Sequence, residues 1–164
     1  MREVEVKALL VDPYQNAPVL LLKDQSSEKV VPVWIGSPEA TAIAMELQHR
    51  EFPRPLTHDL LKSTIQVLGG ALDMVVIDNI QEATYYATLF VRDRAGEVHE
   101  LDARPSDSIA LALRMKSPIY ISEEVFATSA IELPDNDEDE DQREQFQSFV
   151  DHEMNVADFK RFIQ

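Results

Sequence analysis

Two short segments of the sequence place the same residue types in the same order. FPRPLTHDLL, residues 52–61, leads Arg54, Pro55, Thr57, His58 and Asp59 into an apolar run, and LDARPSDSIALAL, residues 101–113, does the same with Arg104, Pro105, Ser106 and Asp107. Guanidinium groups and free helix N–H groups bind phosphate, carboxylates hold hard divalent cations, and imidazole serves as base or acid. Phosphodiester hydrolysis needs an activated water, stabilised phosphate charge and help for the leaving oxygen. On that chemistry His58, Asp59 and Asp107 are the candidate catalytic groups, and Arg54, Arg104, Thr57 and Ser106 the candidate phosphate contacts. Asp59, Asp102 and Asp107, with Glu51 or Glu39, are the candidate ligands for Mg²⁺ or Mn²⁺. All of this requires the two segments to open into one cleft.

Each residue also has a plainer reading. Proline fixes its own φ and keeps the preceding residue out of the α region, so Arg54 and Arg104 should be extended just before a helix begins. Thr57 and Ser106 then read as capping hydroxyls, and an acid in the first turn suits the positive helix end, each contributing roughly 0.5–2 kcal/mol without any function. A cap explains the arginines less well, because the helix dipole disfavours a cation there. Their partner is either an internal carboxylate such as Asp102, Asp107 or Glu51, or a bound phosphate. A lone histidine in a first turn is more often a hydrogen-bonding surface residue than a base. Glu39 and Glu46, about two turns apart on one helix, read as solvated acids, and His49, His99 and His152 as solvated or packing residues. Trp34, Tyr85, Tyr86 and Phe90 could stack on bases, but alternating strand aromatics are usually core or interface, so they stay outside the candidate site.

The elements that must position these groups follow from hydrophobic periodicity. Glu3–Val11, Pro18–Leu22 and Lys29–Ile35 read as strands; SPEATAIAMELQHRE reads as a helix capped by Ser37, with Pro38 in its first turn. LLKSTIQVLGG, with Thr57 as its cap and two glycines as its stop, is a second helix. Leu72–Ile80, Thr84–Arg92 and Val98–Ala103 form a second strand set, Ser106–Met115 a third helix, and residues 118–121 a short strand before a helical turn over Glu123–Thr128. The order βββααβββαβ predicts an α+β fold with a mixed or antiparallel sheet built from two strand sets. The domain is expected over residues 1–133. DNDEDEDQRE reads as an acidic linker, and residues 134–164 as that linker plus short amphipathic helices carrying Phe146, Phe149, Val150, Phe159 and Phe162. That tail is expected to contact its own body, a dimer mate or a protein partner.

Bulk composition narrows the classes. With 164 residues the chain suits one well-buried core. Mean hydropathy of -0.22, no long apolar run and no basic-then-apolar leader predict a cytoplasmic protein without membrane association. There are no cysteines, so thiolate ligands, thiol nucleophiles and disulfides are excluded. The net charge is -15, with eleven acids against three bases from Glu132 onward. The body is acidic as well, which argues against a broad phosphate-binding face.

The blocks WIGSPEATAIAMEL, EFPRPLTHDLL, YATLFVRD and LDARPSDSIALALRMKSPIYIS, in that order, closely resemble the bifunctional nuclease (BFN) domain family, from about Val4 to Leu133. The resemblance implies an α+β body, often dimeric, and cleavage of both DNA and RNA. Plant members carry a UVR-type helical segment after the domain; Arg143–Phe162 lacks a convincing match to it. The leading expectation is therefore a metal-assisted nuclease of low sequence specificity, acting on DNA and RNA as a homodimer. Two alternatives use the same residues: a non-enzymatic dimeric regulatory module with structural Arg/Asp networks, and a binder of small phosphate ligands.

Overall fold

The computed structural model describes residues 1–132, and the expectations for residues 133–164 lie outside the described residues. Strands β1 (Arg2–Asp12), β2 (Ala17–Asp24) and β3 (Lys29–Trp34) form an antiparallel meander, and β4 (Ala71–Gln81), β5 (Thr84–Arg92) and β6 (Val98–Ala103) form a second. β7 (Ile119–Ile121) joins them, antiparallel to β1 and parallel to β4. With β8 (Ile131–Glu132) added beside β3, one mixed eight-stranded sheet results, in the order β6-β5-β4-β7-β1-β2-β3-β8. The two expected strand sets are thus halves of a single sheet, and the fold is α+β.

Helices α1 (Ser37–Leu47), α2 (Thr57–Val67), α3 (Pro105–Met115) and α4 (Glu123–Ser129) complete the described chain. α3 is the hub: it packs against α1, α2, β4 and β5. Its Ser108, Ile109, Ala110, Leu111 and Ala112 are fully buried, because an Ala/Leu-rich helix with small side chains can be approached from several sides. α1 contributes Ala40, Ile43, Ala44 and Met45 to the same core, beside Leu20, Leu22, Val31, Val75 and Ile77 from the sheet. α2 differs: its one buried residue is His58, while Leu60, Leu61, Val67 and Leu68 are exposed. α2 lies on the surface and cannot be held there mainly by apolar burial.

Element boundaries shift where local backbone conformation decides. α1 stops at Leu47 rather than running to Glu51, since His49 adopts a left-handed φ of 52° that ends the helical path. α2 starts at Thr57 with Leu56 as the N-cap, and α1 starts at Ser37 with Gly36 as the N-cap. Thr57 and Ser37, expected as caps, therefore sit one residue inside their helices. The sheet is bent by register shifts in β1 between Val6 and Ala8, and in β4 between Leu72 and Met74 and between Ile77 and Asn79. This curvature has a consequence for the site: the end of β3 and the β4–β5 turn, with β7, β1 and β2 between β3 and β4, line one cleft. A flat sheet would hold β3 and β4 roughly 19 Å apart.

Because α3 is held by interdigitated side chains, removing one should loosen the whole frame. Leu111→Ala is expected to lower unfolding free energy by about 2–5 kcal/mol in urea titration, whereas an exposed change such as Tyr14→Ala should alter it by less than about 1 kcal/mol.

Candidate active site

The two Arg-Pro segments meet. His58 Nε2 lies 3.0 Å from Asp107 Oδ1, and Arg104 Nε donates to Asp107 Oδ2 at 2.7 Å. The same guanidinium donates through Nη2 to Glu39 Oε1 at 2.7 Å. Glu39, Arg104, Asp107 and His58 therefore form a continuous chain linking the opening turns of α1, α3 and α2. A second link sits beside it, where Arg114 Nε donates to Asp59 Oδ1 at 2.7 Å and the Leu56 N–H donates to Asp59 Oδ2 at 2.9 Å.

The positions share a rule. Glu39, Asp59 and Asp107 are each the third residue of their helix, and the preceding caps Gly36, Leu56 and Arg104 offer no side-chain acceptor. Free N–H groups and the positive end of each helix dipole are thus met by an acid from within the first turn. Gly36 is part of this arrangement: a Cβ built there would collide with Glu39 Oε2, so the glycine leaves room for the carboxylate to fold over the helix start.

Burial differs along the chain of contacts. The His58 side chain is 10% exposed and that of Arg104 66%, with Asp107 between them at 32%. Burial pushes the Asp107 carboxyl upward, but hydrogen bonds and charge from Arg104 and His58 outweigh it and leave the group below its ordinary value. Asp59 behaves alike: burial raises it, while the Leu56 N–H and Arg114 bring it below the ordinary carboxylate range. The Arg104 guanidinium is raised by its bonds to Asp107 and Glu39.

The remaining candidates are placed differently. Ser106 is buried beside Arg104 in a cleft of about 370 Å³, while Thr57 is exposed at the first position of α2. Arg54 is exposed in the loop before α2, and no ion-pair partner for it occurs among the described residues. Glu51 is exposed after α1, and Asp102 is exposed on β6 opposite Thr88. The proposed metal ligands Asp59, Asp102, Asp107 and Glu51 do not fit a common ion: both oxygens of Asp59 and of Asp107 are engaged by protein donors. Among the described residues, three or more candidate ligand groups gather only at Asp93, Glu97 and His99. That group lies at the β5–β6 turn, the opposite end of β6 from α3, roughly 20 Å away by strand length. There His99 is paired with Asp93 at 2.9 Å, rather than being a purely solvated residue.

One participant escaped the sequence reading and another has a different role from the one expected. Glu39, expected as either an alternative metal ligand or a solvated acid, is 15% exposed and pinned to Arg104. Arg114, 3% exposed, hid inside an apolar helical run, and its partner Asp59 is 55 residues away.

Comparison with known proteins shows the family. The family described as Bifunctional nuclease domain matches residues 20–134. The chain belongs to that family. It is 44% identical to an uncharacterized protein of Mycobacterium tuberculosis, over 98% of this chain and 99% of the relative. It is 24% identical to Bifunctional nuclease 1 of Oryza sativa subsp. japonica, over 76% of this chain but 38% of that protein. With Bifunctional nuclease 1 of Arabidopsis thaliana, identity is again 24%, over 66% of this chain and 34% of the plant protein. The BFN chain thus spans little more than a third of the plant proteins it matches. No helix among its described residues is long and apolar enough to cross a membrane.

The carboxylates at the helix openings make a pH prediction. Both Asp59 and Asp107 titrate below the ordinary aspartate value when folded, so their stabilisation is fully present above the ordinary carboxylate range and is lost as pH falls through the folded pKa values. Asp59→Asn should therefore lose less stability than the parent between about pH 4 and pH 2 in acid-denaturation curves. At neutral pH Asp59→Ala should cost about 2 kcal/mol. That is less than the roughly 3–5 of an enclosed pair, because the Asp59 side chain keeps 37% exposure.

Proposed function

We propose that this BFN domain hydrolyses phosphodiester bonds in DNA and RNA with little sequence preference. The observation that carries the proposal is the contact of His58 with Asp107 and of Asp107 with Arg104, which itself lines a cleft, in a chain of this family. Family membership and the two plant relatives' names support the reaction class.

Arg104 engages its carboxylates through Nε and Nη2, which leaves Nη1 for a phosphate oxygen. The first turn of α3 adds N–H groups, since Pro105 has none and the first helical bond runs from Ser108 N to Arg104 O. His58 turns Nε2 toward Asp107, so Nδ1 is the nitrogen that exchanges a proton with substrate. In this reading Nδ1 takes the proton from water as its oxygen forms the new P–O bond. The old P–O bond breaks, and the proton passes to the departing oxygen. Asp107 holds the ring and balances its transient positive charge, as a carboxylate does in other acid–base pairs. Asp59 is a positioning residue, setting the start of α2 through Leu56 and Arg114. No step is routed through a metal, because the nominated carboxylates do not converge; reactions with Mg²⁺, Mn²⁺ or EDTA decide whether a divalent ion is needed.

The decisive experiment uses purified full chain with labelled single-stranded DNA and RNA. His58→Ala and Arg104→Ala are each expected to lower kcat/KM by about 10²–10⁴-fold. Cleavage that persists unchanged in both variants would sink the assignment and point to a contaminant.

The outer face of α2 supports the expected homodimer as well. Leu60, Leu61, Val67 and Leu68 are 41–85% exposed at helical spacings on one stripe. Sedimentation should show the parent as a dimer and Leu60→Asp/Val67→Asp as a monomer; a monomeric parent removes the dimer from the proposal.

A further inference from the structure

We infer that the cleft beside Arg104 is a subsite for one unpaired nucleobase, seated against Trp34 and Tyr85, with its phosphate at Arg104 and the start of α3. This deepens the nuclease reading and rests on it.

The cleft is bounded by three pieces of chain: Val33–Gly36 where β3 passes into α1, Ala83–Tyr85 at the β4–β5 turn, and Arg104–Ser106 at the opening of α3. Its volume of about 370 Å³ falls in the lower part of the range for small-molecule pockets, roughly 300–1,000 Å³. A base with its sugar suits such a volume, and a duplex cannot enter it.

The lining supplies two kinds of contact. Trp34 keeps 47% of its surface exposed, unusual for the largest apolar side chain at a strand end. Its indole is held in place by Nε1 donating to Asp12 Oδ2 at 3.0 Å, and Asp12 is itself fixed by the Tyr14 and Gln15 N–H groups. Tyr85 packs partly on the core and also lines the cleft. Two fixed aromatic side chains around one space are what a base π-face recognises, whatever the base. The second kind is polar. Ser106 is only 6% exposed and lines the cleft, one residue from Arg104 and within the first turn of α3. Its hydroxyl is placed to donate to a ligand oxygen in the cleft.

The wall opposite α3 is held in a particular shape. Glu82 and Ala83 both have positive φ, 47° and 62°, in a two-residue turn where Asn-Gly would be relaxed. That turn carries Ala83 and Thr84 onto the cleft. The acidic charge of the chain fits the same ligand. A protein of net charge -15 is poorly suited to track many phosphates, whereas stacking one base and neutralising one phosphate requires little positive charge.

Trp34 is the sole tryptophan, so its fluorescence reports on the cleft directly. The probe is a twelve-nucleotide phosphorothioate thymidylate strand, alone or annealed to its complement, compared with inorganic phosphate, all added to the full chain. The single strand should quench Trp34 with a log–log salt slope of about -0.7, the value for one phosphate contact on a single strand. The duplex and phosphate at equal concentration should not. Tyr85→Ala should weaken strand binding about tenfold and raise KM for cleavage while leaving kcat within about twofold; Tyr85→Phe, which keeps the ring, should match the parent. Equal quenching by duplex or by phosphate overturns the subsite, as does a folded Tyr85→Ala that binds like the parent. Quenching by the strand with no cleavage under any metal condition keeps the subsite and removes the nuclease reading; cleavage without quenching does the reverse.

Discussion

The position of everything that could do chemistry depends on the Asp107 carboxylate. One of its oxygens holds Arg104, and through it Glu39 on α1; the other faces His58 on α2. α3 itself is immobilised by burial on nearly all sides, so Asp107 is a fixed point on a rigid element. α2 has no such anchorage, since His58 is its only buried residue. Its attachment to α3 runs through His58–Asp107 and Asp59–Arg114 together with partial packing of Leu56 and Ile65. A helix docked through polar side chains is positioned more narrowly than one docked through an apolar stripe, because hydrogen bonds tolerate less displacement than hydrophobic contact.

Three helices starting at one place create an electrostatic problem that the sequence solves in a uniform way. Each helix end carries roughly half a positive charge, and none of the three caps has a side-chain acceptor. An acid at the third position of each helix compensates. Glu39, Asp59 and Asp107 against Arg104 and Arg114 leave one formal negative charge, and three helix ends at roughly half a charge each offset it. The cluster can accept an anion even though the body around it is acidic. The acids therefore have a structural duty before any catalytic one. The groups with spare capacity are Arg104 Nη1, His58 Nδ1 and the first N–H groups of α3.

Most elements were legible because periodicity is a local property. Strand alternation and the Ala/Leu pattern of α3 placed seven strands and three helices near their observed bounds. Insertion of β7 between the two meanders was not legible, since strand order is decided by packing of distant segments. The early stop of α1 at His49 was missed because a left-handed histidine carries no strong sequence signal, unlike the glycines after α2. At the site, the recurrence of Arg-Pro, hydroxyl and acid correctly pointed to two segments that meet. The helix-opening role of Glu39, named only as an alternative metal ligand or a solvated acid, shows on aligning the three openings SPE, THD and PSD, in which the acid occupies one shared position. Arg114 had no such marker, and Arg54, Asp102 and Glu51 had suitable chemistry but lie outside the linked cluster.

The acidity of the chain and the chemistry of its cleft can be reconciled through distance. Charges on the surface are screened beyond about 8 Å at physiological salt, so the net charge opposes approach of a polyanion without setting the field inside the cleft. Within that distance the field comes from Arg104, its two carboxylates and the nearby helix ends. Long-range steering is forfeited, and with it the fast, nonspecific capture typical of basic nucleic-acid binders. On the proposed nuclease reading what remains is recognition by contact, with part of the substrate seated in the cleft between β3 and the β4–β5 turn. The bulges in β4 that bend the two halves of the sheet together are thus as much a part of substrate choice as the side chains lining the space.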